Sequence, residues 1–283
     1  MKTKPSLAAK DLKSILLGLA SANKSFTNSH PGDSGERQPV HVVYGGAHLF
    51  TWDIAQRLGR SALQILNEYA PDAKTFLKAL NLPEDEFPNL HSRVLEKLHR
   101  EPVEDFRIDF EDGYGNRPDL EEDSHAFQAA VEVARGLDAN SLPAFIGIRI
   151  KPLSSVLSVR SLRTLDIFLT SLMTVGTKRI PKNFIVTLPK ITVPAQVTAL
   201  AKVLSLLENR LKIPKGSIKI EFMVETPQTI LSEDGQVILP LLVREAGGRC
   251  VGAHLGTYDY TALCQITASY QSMSHQACDF AKH

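Results

Sequence analysis

Cysteine is scarce. The 283 residues contain three, Cys250, Cys264 and Cys278, too few and too evenly spread for a Cys-x-x-Cys zinc or redox motif. Their odd number argues against a disulfide framework and points to a reducing, cytoplasmic compartment. Surplus charge is missing too, since Lys+Arg 32 against Asp+Glu 31 leaves +1. No global field is therefore present to hold a nucleic-acid backbone or an anionic membrane. Aromatic residues do not interleave with basic ones as a nucleic-acid platform requires. No run of eighteen apolar residues occurs, so nothing is long enough to cross a bilayer as a helix. There is no G-x-x-x-x-G-K-[ST], no G-x-G-x-x-G after a strand and no G-x-S-x-G elbow. Those absences remove nucleotide hydrolysis and serine-hydrolase chemistry.

What remains is an ordinary globular composition, 43% hydrophobic and 22% charged. The first 24 residues hold five lysines, one acid (Asp11) and a short apolar patch from Ile15 to Ala20. They read as a surface helix, with an organelle-targeting helix as the alternative. Residues 25–39, SFTNSHPGDSGERQP, are rich in Ser, Asn, Gly and Pro and read as a loop. The expected organisation is therefore an N-terminal helix and loop over 1–39 and a catalytic domain over 40–283. Within the latter, short β-branched or aromatic runs recur at 41–44, 106–110, 144–150, 183–188, 218–224 and 249–255. Helical patterns lie between them at 51–70, 73–80, 89–100, 124–135, 158–174 and 194–212. In the fourth of these, Ser124 is the expected N-cap and Gly136 the expected stop. Strand starts fall 65, 38, 39, 35 and 31 residues apart, the rhythm of βα units in a parallel sheet.

Charged residues gather at the strand ends: Glu111 and Asp112, Arg149, Lys190, Glu225, and then His254 and Asp259. A barrel converges all such ends on one mouth, whereas an open sheet spreads them along a crevice, so charged tips on five consecutive strands favour an α/β fold of the (β/α)8 TIM-barrel type. Glu225 and Asp259, 34 residues apart, span one βα unit and suit a hard cation such as Mg²⁺, which takes one or two carboxylates and keeps waters. Acids at strand ends also simply pair with Arg or Lys, and that alternative stands beside the metal reading. Glu111 and Asp112 are candidates for orienting metal waters or for proton transfer, or else for capping a helix. Arg149 offers a planar fork for a substrate carboxylate, or a partner for Glu111 or Glu225. Lys151 has the same strand parity, but Pro152 implies that the strand has already ended there, so it ranks below Arg149. Lys190 is a salt-bridge partner or substrate contact rather than a Schiff-base amine. His48 and His254 are acid–base or structural candidates. Gly45-Gly46 admits an anion or merely makes a turn.

These residues resemble the HpcH/HpaI aldolase and citrate lyase β-subunit superfamily over roughly Pro31 to Lys282. FEDGYG resembles its acidic pair after the second strand, GIRI its third-strand arginine, and LPKI its proline-lysine after the fourth. FMVETP resembles its metal glutamate on the fifth strand and GTYDYTA its metal aspartate after the sixth. PGDSGERQPVHVVYGGAH and HLGTYDYTA resemble a branch apart from citrate lyase, malyl-coenzyme A lyase and the HpaI-type aldolases. YGGAH stands where citrate-lyase-like members carry an arginine pattern. The resemblance implies eight βα units, of which about six are expected here, as in a chain truncated at its C-terminal end. It also implies a Mg²⁺- or Mn²⁺-dependent carbon–carbon lyase acting through an enolate on a 2-oxo acid or acyl substrate, acyl-coenzyme A included. In that reading Glu225 and Asp259 hold the metal, and Arg149, Glu111, Asp112 and His48 do the chemistry. Arg149, Lys190 and His254 bind substrate. The expected partners are a small molecule and further copies of the chain, with no nucleic acid or membrane. The alternative is an inactive homologue kept as a binding or interaction protein.

Overall fold

The computed structural model describes residues 6–33, 35–176 and 178–283, which form two compact units, up to Gln38 and from Pro39 to His283. In the first, helix α1 (Ala9–Ser29) buries none of its residues, and Ile15, Leu16, Leu17 and Leu19 are all exposed. It continues through Ser25–Ser29, part of the stretch expected to be a loop. There Thr27 and Ser29 donate their hydroxyls to carbonyls one turn back. The first five residues of the lysine-rich stretch lie outside those described.

The second unit contains six parallel strands: β1 (Val43–Gly46), β2 (Asp105–Asp109), β3 (Phe145–Arg149), β4 (Phe184–Leu188), β5 (Lys219–Val224) and β6 (Cys250–Leu255). Each pairs only with its sequence neighbours, in the order β1-β2-β3-β4-β5-β6. Among the described residues nine α-helices alternate with them: α2 (Ile54–Tyr69), α3 (Ala73–Ala79), α4 (Leu90–Arg100), α5 (Asp119–Asp138), α6 (Ser158–Thr174), α7 (Pro194–Leu211), α8 (Leu239–Glu245), α9 (Thr257–Leu263) and α10 (Gln276–Lys282). The sheet is open, and among the described residues no strand joins the free sides of β1 and β6. It is nevertheless strongly curved. Five spacings of about 4.8 Å would set the edges of a flat sheet roughly 24 Å apart. The rings of Tyr44 on β1 and His254 on β6 have centroids only 6.3 Å apart.

Strand alternation separates two chemistries. One face carries Phe106 and Ile108, Ile146 and Ile148, Phe184 and Val186, and Ile220 and Phe222, all buried in the core beneath the helices. The opposite, concave face carries Tyr44, Arg107, Asp109, Arg149, Thr187, Glu221 and His254, matched strand to strand by the parallel register. A bulge at Ile220/Glu221 shifts β6 relative to β5, and Val251, Gly252 and Ala253 on β6 are exposed.

Helix α5 departs from the sequence reading at both ends. It begins at Asp119 after Pro118, not after Ser124, because Asp119, Glu121 and Glu122 supply acids for its positive first turn. Glu122 is fully buried there and is paired with Lys151 at 3.2 Å. Nor does Gly136 stop the helix. Its missing Cβ makes room for Leu142, and the chain leaves the helix two residues later through Asn140, whose φ is 51°.

Candidate active site

The charged concave face forms two layers. In the lower one Arg107, 0% exposed, donates from Nε and Nη2 to the two oxygens of Glu221, at 2.8 Å each, and from Nη1 to Asp105. Glu221 also accepts from Thr187 Oγ1 at 2.5 Å, Tyr44 Oη at 3.1 Å and His254 Nε2 at 3.2 Å. Burial works to raise the Glu221 carboxyl, but the hydrogen bonds and charges of His254 and Arg107 outweigh it and hold the group well below the usual carboxylate range. Burial and the Glu221 charge push the Tyr44 phenol up.

The upper layer lies at the C-terminal ends of the strands and begins with Asp109. Its carboxylate accepts from the backbone N–H of Glu111 (2.9 Å) and Gly113 (2.8 Å), which shapes the loop carrying the acidic pair. A Cβ at Gly113 would lie 2.6 Å from Asp109 Oδ2, so glycine permits this closure. Asp109 also takes Nε and Nη2 of Arg149, at 2.8 and 2.5 Å, leaving Nη1 toward Glu111 (3.2 Å) and Asp112 (3.4 Å). Burial opposes charge on Arg149, but Asp109 and then Glu111 and Asp112 outweigh it and strengthen its hold on the proton.

Lys190 sits just after β4 with φ at 47°, in the left-handed region. That backbone aims its N–H at Glu225 Oε1, 2.8 Å away. Its Nζ meets Glu111 at 2.5 Å, Asp259 at 3.1 Å and both oxygens of Asp112 at 3.2 Å. Burial alone would lower the ammonium's pKa, but the Glu111 hydrogen bond and the charges of Glu225, Glu111 and Asp112 raise it. A lysine so firmly charged is a poor Schiff-base amine.

Glu225, just beyond β5, is 2% exposed. Its carboxyl is pushed up to about 8, by burial above all and then by the charges of Asp259 and Glu111, against the pull of Lys190. Burial likewise raises Glu111, while Asp112 is held low because the Glu111 hydrogen bond and the Lys190 and Arg149 charges outweigh its burial. Gly256 closes the site from beyond β6, where a Cβ would stand 2.7 Å from Glu225 Oε2. Asp259 follows in the first turn of α9.

A cavity of about 670 Å³ opens on both layers and is lined by Tyr44, Asp112, Arg149, Glu225, His254 and Asp259 among others. A larger depression, about 820 Å³, lies at the other end of the sheet around Lys219 and Arg249 and contains none of the carboxylate cluster. Six of the sequence candidates, Glu111, Asp112, Arg149, Lys190, Glu225 and Asp259, are linked by ion pairs, hydrogen bonds or direct charge interaction. His254 joins them through the cavity and the Glu221 layer. His48 does not line the cavity. It packs edge-on to Tyr114, at 5.6 Å between ring centres, and lies 6.2 Å from His125. Burial, Arg117 and His125 lower its pKa. Gly45 and Gly46 belong to β1, where added Cβ atoms would strike Phe106 and the Gly113 oxygen, so their small size serves packing. Lys151 is buried on the carbonyls of Phe110 and Gly115.

The residues that sequence reasoning passed over are Tyr44, Arg107, Asp109 and Glu221. Their signal was present, since Arg107, Asp109 and Glu221 occupy alternate positions inside otherwise apolar strands.

A cation can be tested against these donors. Among the described residues no group of three or more His, Cys, Asp or Glu is arranged to hold a metal. Two carboxylates, Glu225 and Asp259, do share one electrostatic site, with Glu111 nearby, its Oε2 ion-paired to Arg149 at 3.2 Å. A hard divalent ion that keeps most of its waters needs no more than that pair, so the residues fit Mg²⁺ or Mn²⁺.

A family model described as "Domain of unknown function (DUF6986)" matches residues 19–283. The chain belongs to that family. No curated protein matches it. Among solved structures, the DUF6986 chain is similar to a citrate lyase from Burkholderia xenovorans LB400, with 17% identity and a TM-score of 0.51. The match covers 89% of this chain and 61% of that one, so the chain spans about three fifths of the citrate lyase's length. A Haloferax volcanii malate synthase in a lead(II) complex is similar at 17% identity and a TM-score of 0.47, over 60% of this chain and 46% of that one. At such identities the likeness to the citrate lyase concerns the fold.

Proposed function

We propose that this DUF6986 chain is a divalent-cation-dependent carbon–carbon lyase acting on a small 2-oxo acid or acyl substrate through an enolate. The observation that carries the reading is the convergence of Glu111, Asp112, Arg149, Lys190, Glu225 and Asp259 at the C-terminal ends of parallel strands, around one cavity. Likeness in fold to a citrate lyase agrees with it. Glu225 and Asp259 would hold Mg²⁺ or Mn²⁺, which when bound supplies positive charge to offset negative charge growing on substrate oxygens.

The chain's own residues have distinct tasks. Asp109 pins two nitrogens of Arg149, so its positive charge stands fixed at the cavity wall instead of reorganising during the reaction. One such preorganised donor is typically worth roughly 3–4 kcal/mol of barrier. The remaining nitrogen of Arg149, Nη1, faces Glu111 at 3.2 Å and Asp112 at 3.4 Å, and it is where a substrate carboxylate would bind. Lys190 neutralises the acids of the site, and its backbone N–H orients Glu225. Glu111 and Asp112 both lie against Lys190 Nζ and provide a reservoir for a proton.

The test is a screen of chelator-stripped protein with 2-oxo acids and 3-hydroxyacyl compounds, coenzyme A thioesters included, with and without Mg²⁺ or Mn²⁺. Release of pyruvate, glyoxylate or oxaloacetate that requires the metal is expected. Metal binding with no turnover of any of them would instead favour the inactive homologue.

A further inference from the structure

We propose that His254 is the group that moves the proton in this reaction and that Glu221 is its positioning residue, an assignment that rests on the lyase reading above. His254 lines the cavity together with Glu225, Asp259 and Arg149. Its Nε2 is 3.2 Å from Glu221 Oε2, and among the described residues its Nδ1 has no hydrogen-bond partner. An ionised carboxylate only accepts, so Nε2 must carry the hydrogen and Nδ1 keeps the lone pair.

The carboxylate that orients the ring is buried and fully hydrogen-bonded. Glu221 is 3% exposed, and Arg107, Thr187 and Tyr44 donate four hydrogen bonds to its two oxygens before His254 adds a fifth. Arg107 faces two carboxylates, Glu221 and Asp105, in a layer shielded from solvent. An imidazolium at His254 would set two cations against two anions. The arrangement is that of an imidazole backed by a buried acid, which holds the ring and stabilises its charged form without taking the proton itself. His48 offers the reverse. It is away from the cavity and its neighbours Arg117 and His125 oppose a positive charge.

In the step itself, His254 Nδ1 takes a proton from the carbon next to the keto group of a 2-oxo acid. The C–H electron pair becomes the new C–C double bond and the carbonyl π pair moves onto oxygen. His254 becomes imidazolium on Glu221 and returns the proton when the reaction reverses. In D₂O that return delivers deuterium.

The experiment follows the C3 proton signals of pyruvate and 2-oxobutyrate by ¹H NMR in D₂O with Mg²⁺, for the wild-type chain and His254→Gln. The wild type is expected to exchange these protons, and the variant to do so at least 100-fold more slowly while its Mg²⁺ affinity stays within twofold. Histidine ¹⁵N spectra supply a second readout. The resonance lost in His254→Gln should be that of an Nε2-protonated ring in the wild type, and Glu221→Gln should abolish this preference and lower kcat while KM stays within about threefold. Glu221→Gln also strips buried Arg107 of its partner, so the decision rests on His254→Gln and the wild-type spectrum. Exchange by His254→Gln at the wild-type rate, or a His254 ring protonated on Nδ1, overturns the proposal alone. No exchange by the wild type with either oxo acid defeats the lyase reading and this assignment with it.

Discussion

Glu225→Gln is expected to stabilise the metal-free chain in alkali and to flatten its dependence on pH. The carboxyl is raised from an ordinary 4.5 to about 8, by burial first and then by Asp259 and Glu111, with Lys190 opposing. Between those values the folded chain holds a proton that the unfolded chain has already lost. Stability therefore falls as pH rises through this window and levels off above about 8. The interval, 8 − 4.5, is about 3.5, and at 1.36 kcal/mol for each step of one it amounts to on the order of 5 kcal/mol. Urea denaturation at pH 6 and pH 9 samples the upper two steps of it, roughly 2.5 kcal/mol. Glutamine has the same shape and no proton to lose, and its amide oxygen can still accept the Lys190 N–H. In chelator, the wild type should lose roughly 2.5 kcal/mol more than the variant between the two pH values, since groups common to both cancel in the difference. Saturating Mg²⁺ should recover that loss in the wild type and do little for the variant. Parallel pH curves, or a variant equally destabilised at both pH values, would refute the reasoning.

Other perturbations separate the layers of the site. Asp259→Asn should weaken Mg²⁺ and Mn²⁺ at least tenfold by calorimetry, because a neutral amide replaces an anionic ligand, and unchanged affinity would remove Asp259 from the metal site. Arg149→Lys should cut turnover about 100-fold or more with metal affinity nearly intact, since lysine cannot bridge Asp109 and the substrate at once, and wild-type kinetics would make Arg149 a mere point charge. Arg107→Met should cost about 3–5 kcal/mol of folding stability by leaving Glu221 and Asp105 buried without a cation, and a loss below about 1 kcal/mol in urea would contradict the buried pairing. Gly147→Ala should cost at least about 3 kcal/mol, because the added Cβ would fall on the backbone oxygen of Ile185, where no flexible side chain can give way.

Much of this was legible in the sequence, and the gaps have physical causes. All six strands begin within two residues of their expected starts, because buried strands of a parallel sheet are short, dense apolar runs. Helix α6 matches its expected span of 158–174, for its apolar stripe faces the core along its whole length. The start of α5 was hidden because DLEEDS has no apolar periodicity. There the helix is stabilised by acids in its first turn and by the Glu122–Lys151 pair, which only the tertiary structure brings together. The strand-end charges were visible because Glu111, Lys190, Glu225 and Asp259 stand at or beyond the ends of the apolar runs. Arg107, Asp109 and Glu221 lie within those runs, where a charge is costly unless paired, and their partners are 114 and 40 residues distant in Glu221 and Arg149. The loop that carries His48 gave no sign of its direction, and it turns the ring toward Tyr114 and His125.

The proposed cation site is reached most directly by titrating the metal-free chain with Mg²⁺ and Mn²⁺ in a calorimeter, at pH 7 and pH 9, in buffers of different ionisation enthalpy. At pH 7 the Glu225 carboxyl, raised to about 8, carries its proton, and a cation can bind only by expelling it. One ion per chain is expected to bind with release of close to one proton at pH 7 and almost none at pH 9, and Glu225→Gln should abolish the release and weaken binding at least tenfold. No heat with either metal, or the same affinity and proton count in the variant as in the wild type, would contradict a metal site at Glu225 and Asp259.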